Sequence, residues 1–187
     1  MGFFLQKLRL QARLGFFLRA LSCRLQGFLR GSFISFGVDL LLYPGAQFTL
    51  GKGVRIVGPG AITVYENAHL EIGDGCNVGR NNTLYCATAI LIEPACRLAH
   101  NCTLVDHDYD FRAAKDYYDA PKIARAIVLG KGTLLCANVT VLKGVVIGEY
   151  CVIGANTLIT TNLAPESLAY AEQRIKTVHI ERKNART

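Results

Sequence analysis

The chain has 187 residues, 51% hydrophobic and 19% charged, a balance that disfavours disorder and suits one core with a terminal appendage better than two full domains. Its seven cysteines are scattered without a Cys-x-x-Cys pair, which supports neither a disulfide framework nor a cysteine zinc site and fits a reducing cytoplasm. The net charge of +7 falls almost wholly on residues 1–38, where six Lys/Arg stand without one acid, and this concentration in one segment argues against nucleic acid as the partner.

That segment, residues 1–44, comes first. Read as a helix, residues 3–30 set Leu10, Leu14, Phe17, Leu21, Leu25 and Phe28 in one stripe, at spacings of three and four. Arg9, Arg19 and Arg30 fall well away from the stripe, while Lys7 and Arg24 flank it, where long basic side chains can snorkel. The profile suits a helix lying on the inner face of a membrane. It suits equally a helix packed on the end of the next domain or between subunits, and Gly15 and Gly27 weaken it as an autonomous helix. Basic residues or Gln interrupt every apolar run before it reaches ~18 residues, so neither a membrane span nor a cleavable signal is predicted.

From residue 45 to about 165 the sequence repeats every six residues. From Ile72 the text divides into IGDGCN, VGRNNT and LYCATA, slips by two, and resumes with IEPACR, LAHNCT and a hexad opening at Leu104. A second array runs from Leu129: LGKGTL, LCANVT, VLKGVV, IGEYCV, IGANTL and ITTNL. Position one is always Ile, Leu or Val. A period of six is neither helical nor simple strand alternation, and it predicts a triangular all-β solenoid with one short strand and one corner per hexad and three hexads per coil. Gly at position two, with Asn or Gly nearby, is expected to supply the corner conformations. Position five holds Cys76, Cys96, Cys102 and Cys151 beside Thr133, Val139, Val145 and Thr157, so these cysteines read as small packing residues rather than nucleophiles.

One segment breaks the period. After Leu104 come about twenty charged and tyrosine-rich residues, which predicts a loop over 109–126 thrown out of the prism, and long loops in compact domains are disproportionately functional. Residues 166–187 form a tail.

The combination LAHNCTLVDHD, a loop, then IVLGKGTLLCANVTVLKGVVIGEYCVIGANTLIT resembles the hexapeptide-repeat acyltransferases, in particular their sugar and polysaccharide O-acetyltransferase branch. The resemblance covers about residues 50–170. It implies a left-handed parallel β-helix, acetyl-CoA as co-substrate, a sugar, polysaccharide or lipid-linked glycan acceptor, a homotrimer with active sites between neighbouring prisms, and a cytoplasmic enzyme, peripheral on the membrane if the helix binds there. Leu134 stands where the family usually has Trp, Lys143 where Pro is common, and the segment after Pro165 lacks the usual Gly-x-Pro-Ala.

Acyl transfer to a hydroxyl needs a base, a donor for the developing oxyanion and a groove for the CoA arm. His107, at the mouth of the loop and flanked by Asp106 and Asp108, is the candidate base, with either carboxylate able to orient the ring. By resemblance, Ala137, Ala155 and Asn156 lie near the pantetheine with Thr160 further along, Lys143, Arg174 and Lys176 meet the nucleotide phosphates, and Asn81 and Asn101 face the acceptor. Asn81 and Asn101 read equally as corner formers, and His69 and His100 as exterior polar residues. No metal is expected. Two other readings stay open: an N-acetyltransferase of an amino-sugar nucleotide, and a metal-binding β-helix of the γ-carbonic-anhydrase type.

Overall fold

The computed structural model describes residues 2–113, 116 and 119–172, with the helix described by its backbone alone as far as residue 13. Helix α1 (Gly2–Leu29) is followed by a left-handed parallel β-solenoid of about six turns. Its strands form three parallel sheets, the faces of a triangular prism, with seven, six and five strands. Each face grows one strand per coil.

The six-residue period produces this winding because each hexad points its first residue inward. On the first face Ile34, Ile56, Val78, Leu98, Leu135 and Ile153 pair in succession, coil upon coil, and all are buried. On the second face Leu104 stacks between Leu84 and Val141. Burying each such side chain contributes about 1.5–3 kcal/mol, which makes the inner stack the main source of stability. Cys76, Cys96, Cys102, Cys151, Thr133, Val139, Val145 and Thr157, all at position five, are buried between those rows. The coils run from Phe33 to Ala169, wider than the 45–165 read from the hexads, because Val38–Leu42 alternates inward and outward without a clean period of six.

The corners divide between two positions the duty expected of glycine at position two and asparagine or glycine nearby. Position four takes the left-handed conformation, as at Asn81, Asn101, Asn138 and Asn156, with φ between 58° and 61°; asparagine enters this region more readily than most side chains. Glycine at position two answers a different need. A Cβ on Gly130 would stand 2.6 Å from Glu149 N, so that glycine is required by the approach of the next coil and not by its own φ.

α1 lies across the open end of the first coil. Ala20 enters the core cluster, Cys23 packs against it, and Gly27 lets the helix come so near that a Cβ there would meet Leu50 Cδ1 at 3.1 Å. Three arginines fasten it: Arg19 Nε donates to Leu42 O at 2.8 Å, Arg24 Nη2 to Val38 O at 2.8 Å, and Arg30 Nη1 to Leu50 O at 2.8 Å. The stripe Leu14, Phe17, Leu21, Leu25 and Phe28 points the other way and is exposed. Packing of the stripe on this chain's own prism is therefore not what the structure adopts.

Candidate active site

His107 stands at the corner between the second and third faces, where the chain leaves the prism. The strand Thr103–Val105 ends there, and Arg125 N donates to Asp106 O at 2.8 Å, closing the root of an excursion. Its two arms, His107–Tyr109 and Lys122–Ala124, pair antiparallel, and the chain re-enters the third face with Ile127 registered on Ile90. The excursion read as a loop over 109–126 is thus a hairpin rooted at residue 107. Residues directly opposed in an antiparallel pair share a side, so His107, Tyr109, Lys122 and Ala124 project to one side and Asp108 and Ile123 to the other.

The two aspartates part at the root of the hairpin, Asp106 following the prism strand and Asp108 lying in the first arm. Asp106 is fully buried, and its carboxylate accepts Ala87 N on Oδ1 and Thr88 N on Oδ2, both at 2.7 Å, with His107 Nδ1 3.1 Å from Oδ1. A carboxylate held by two amide donors acts as an acceptor, so Nδ1 carries the ring proton and Nε2 carries the lone pair. Asp108 turns to solvent on the other side, where Oδ2 accepts Lys143 Nζ at 3.2 Å and Oδ1 accepts Tyr109 N at 2.8 Å. That amide, and then Lys143, hold the Asp108 carboxyl below the usual range. The orienting contact to His107 comes from Asp106 alone.

Aromatic rings wall the histidine. Tyr65 meets the imidazole edge-on, with centroids 5.3 Å apart, and Tyr109 lies at 6.2 Å. Ala87, whose amide bonds Asp106, occupies the same corner on the coil between. Lys122 Nζ lies 3.4 Å from the Tyr65 ring centroid, and partial burial pushes its ammonium below the usual lysine range while Asp106 opposes the shift. Sequence reasoning missed Tyr65, Tyr109 and Lys122. Tyr43 and Tyr65 follow LLL and ITV at matching points of successive coils, which was a legible signal for a tyrosine column at this corner.

The remaining candidates divide between two corners. Lys143 lies above Asp106, and Thr160 above Leu142 and Val105, near the corner between the second and third faces. Ala137, Ala155 and Asn156 lie at the corner between the first and second faces, together with Asn81 and Asn101, a full strand away from His107. There Asn101 Nδ2 donates to Asn138 Oδ1 at 3.0 Å and Asn138 Nδ2 to Asn156 Oδ1 at 2.9 Å, so these side chains are engaged with one another. His100, exposed at the same corner, accepts Arg80 N at 3.3 Å, and His69 lies 3.5 Å from Glu71. Among the described residues no group of three His, Cys, Asp or Glu is placed to hold a metal ion. Arg174 and Lys176 lie outside the described residues.

Phased hexads wound into three parallel faces, broken once by a hairpin that carries a histidine, define a left-handed parallel β-helix. A family profile, Bacterial transferase hexapeptide (six repeats), matches residues 126–161. It is 26% identical over 135 residues to WbbJ of Escherichia coli, provisionally named a lipopolysaccharide biosynthesis O-acetyl transferase, with 68% of this chain and 65% of that one covered. It is 27% identical over 139 residues to Rv3034c of Mycobacterium tuberculosis, named a probable acetyltransferase, with 73% of this chain and 46% of that one covered. The chain therefore spans less than two thirds of the length of either relative. Among solved structures, a point mutant of AntD, an N-acyltransferase from Bacillus cereus in complex with dTDP and coenzyme A, superposes with a TM-score of 0.65 at 17% identity, covering 81% of each chain. The polySia specific acetyltransferase NeuO superposes with a TM-score of 0.59 at 18% identity, covering 76% of this chain and 64% of that one. At these identities the superpositions speak for the fold.

Proposed function

We propose that this protein transfers an acetyl group from acetyl-CoA to a hydroxyl of a sugar, polysaccharide or lipid-linked glycan precursor, by direct transfer with no acyl-enzyme. The observation that carries the reading is the buried Asp106 carboxylate on His107 Nδ1, which leaves Nε2 as a base on the side of the hairpin that also bears Tyr109 and Lys122. The acceptor hydroxyl gives its proton to Nε2 as its oxygen attacks the thioester carbonyl carbon. The tetrahedral intermediate collapses with cleavage of the C–S bond, and the proton on His107 passes to the departing CoA sulfur. Tyr109, exposed beside the histidine, offers a ring against which a pyranose can lie. The names of WbbJ and Rv3034c support acetyl as the group transferred, and that of WbbJ supports a glycan hydroxyl as its destination.

The site is shared between copies on this reading. Ala137, Ala155 and Asn156, proposed to line the pantetheine and to supply backbone donors to the oxyanion, occupy a different corner from His107, so a complete site joins one corner of a prism to another corner of its neighbour, as in a homotrimer. Lys143 and Thr160 lie nearer the base, although Lys143 reaches the CoA phosphates only by leaving Asp108. Seven free thiols and a CoA substrate favour the cytoplasm. The test is release of free CoA from acetyl-CoA against a panel of sugars, sugar nucleotides and lipid-linked glycans. Turnover with a hydroxyl acceptor that vanishes in His107→Ala supports the reading, and a variant retaining full activity overturns it.

A further inference from the structure

The outward face of α1 has no partner within the chain. Leu14, Phe17, Leu21, Leu25 and Phe28 are between 46% and 73% exposed, and Phe36 on the first coil extends the patch. The helix cannot swing to hide them, because Arg19, Arg24 and Arg30 bind carbonyls of the first coil and Ala20 is part of the core. Between the helix and that coil a groove of about 360 Å³ opens beside the stripe, lined by Phe16, Phe17, Leu21, Arg24, Phe36 and Leu41 among others. An apolar face this continuous marks an interaction surface.

Charge selects the partner. The six Lys/Arg of residues 1–38 account for all but one unit of the net charge of +7, and Asp39 is the first acid in the chain. Two copies laid stripe to stripe would bring these like charges together with no acid to offset them, whereas lipid phosphates would neutralise them. We infer that α1 seats the prism on an anionic bilayer, with Leu14, Phe17, Leu21, Leu25 and Phe28 in the acyl boundary and the basic charge of the N-terminal segment drawn to the lipid phosphates. Among the described residues no helix is long and apolar enough to cross a membrane, so α1 lies in the plane of the surface. His107, three coils above the one that α1 covers, is then held roughly 14 Å from that coil, at one strand spacing of about 4.8 Å per coil.

The experiment uses the full chain with sedimented vesicles of phosphatidylcholine alone or with one quarter phosphatidylglycerol. The protein is expected to partition onto the anionic vesicles, several-fold less at 0.5 M salt or on phosphatidylcholine alone, and at least about tenfold less for Leu21→Glu/Leu25→Glu. Since the chain contains no tryptophan, Leu25→Trp adds a single reporter whose emission is expected to shift to the blue on anionic vesicles and not on neutral ones. A protein that stays in the supernatant with both vesicle types overturns the inference, as does a Leu25→Trp emission unchanged by lipid. So does an assembly in solution that falls apart in Leu21→Glu/Leu25→Glu, which would give the stripe to a second copy. None of these outcomes depends on acetyl transfer.

Discussion

Asp106 Oδ1 lies 3.1 Å from His107 Nδ1, and this single contact decides which ring nitrogen is free to take a proton. Replacing the ring removes the base while leaving the coils untouched. His107→Ala is expected to lower kcat by about 10²- to 10⁴-fold, with an unchanged circular dichroism spectrum, measured as acetyl-CoA-dependent product formation.

The two neighbouring aspartates are predicted to part company. In Asp106→Asn the amide NH₂ would face either Ala87 N or Thr88 N, donor against donor, and the ring would lose its anionic partner. The expected loss is about 1–3 kcal/mol in stability by urea denaturation together with a fall in kcat on the order of 10²-fold or more. Asp108→Asn gives up only an exposed ion pair with Lys143 and is expected to leave both quantities near the wild-type values.

Corner chemistry can be tested at Asn138, whose φ is 61°. Asn138→Ala forces alanine into the left-handed region and severs the amide links to Asn101 and Asn156, for an expected loss of about 1–2 kcal/mol, while Asn138→Gly loses the links without the strain and costs less. Gly130→Ala fails for another reason, since its Cβ would overlap the backbone of Gly148 and Glu149, and a loss of about 1–3 kcal/mol is expected. Equilibrium unfolding ranks all three.

Alkaline pH should weaken the fold through its inner thiols. Burial, and next the Asp106 charge, push Cys86 up from 9.0 to about 12. The unfolded chain releases this proton near pH 9 while the folded chain keeps it to about 12, so the contribution to stability is whole below pH 9 and declines as pH rises between those values. Its slope is at most about 1.4 kcal/mol per pH unit. Denaturation midpoints from pH 8 to 10.5 should therefore fall, and Cys86→Ala should flatten the decline.

Much of the prism is legible from the text because each inward residue recurs at a fixed interval and each corner recurs with it: Leu98, Leu104 and Leu135 announce their own positions. The first coil is harder to read, since Val38, Leu40 and Leu42 alternate inward over five residues without the corner glycines that mark later hexads. The site was half legible. A histidine where the period fails is visible in one dimension, but the outward turn of Asp108 follows from its pairing with Ile123, 15 positions away, which no local pattern states. Lys122 escaped notice for the same reason, because only the register Tyr109 with Lys122 brings it to the histidine's side of the hairpin.

A stack of parallel coils has no intrinsic length, for the carbonyls of each coil await the amides of another. Arg19, Arg24 and Arg30 take up Leu42, Val38 and Leu50 carbonyls of the first coil, the places where a foreign strand would dock. The guanidinium forks thereby turn a potentially endless filament into a molecule of fixed size. The helix that decides how the prism meets its surroundings is also the stop that keeps one prism from growing onto the next.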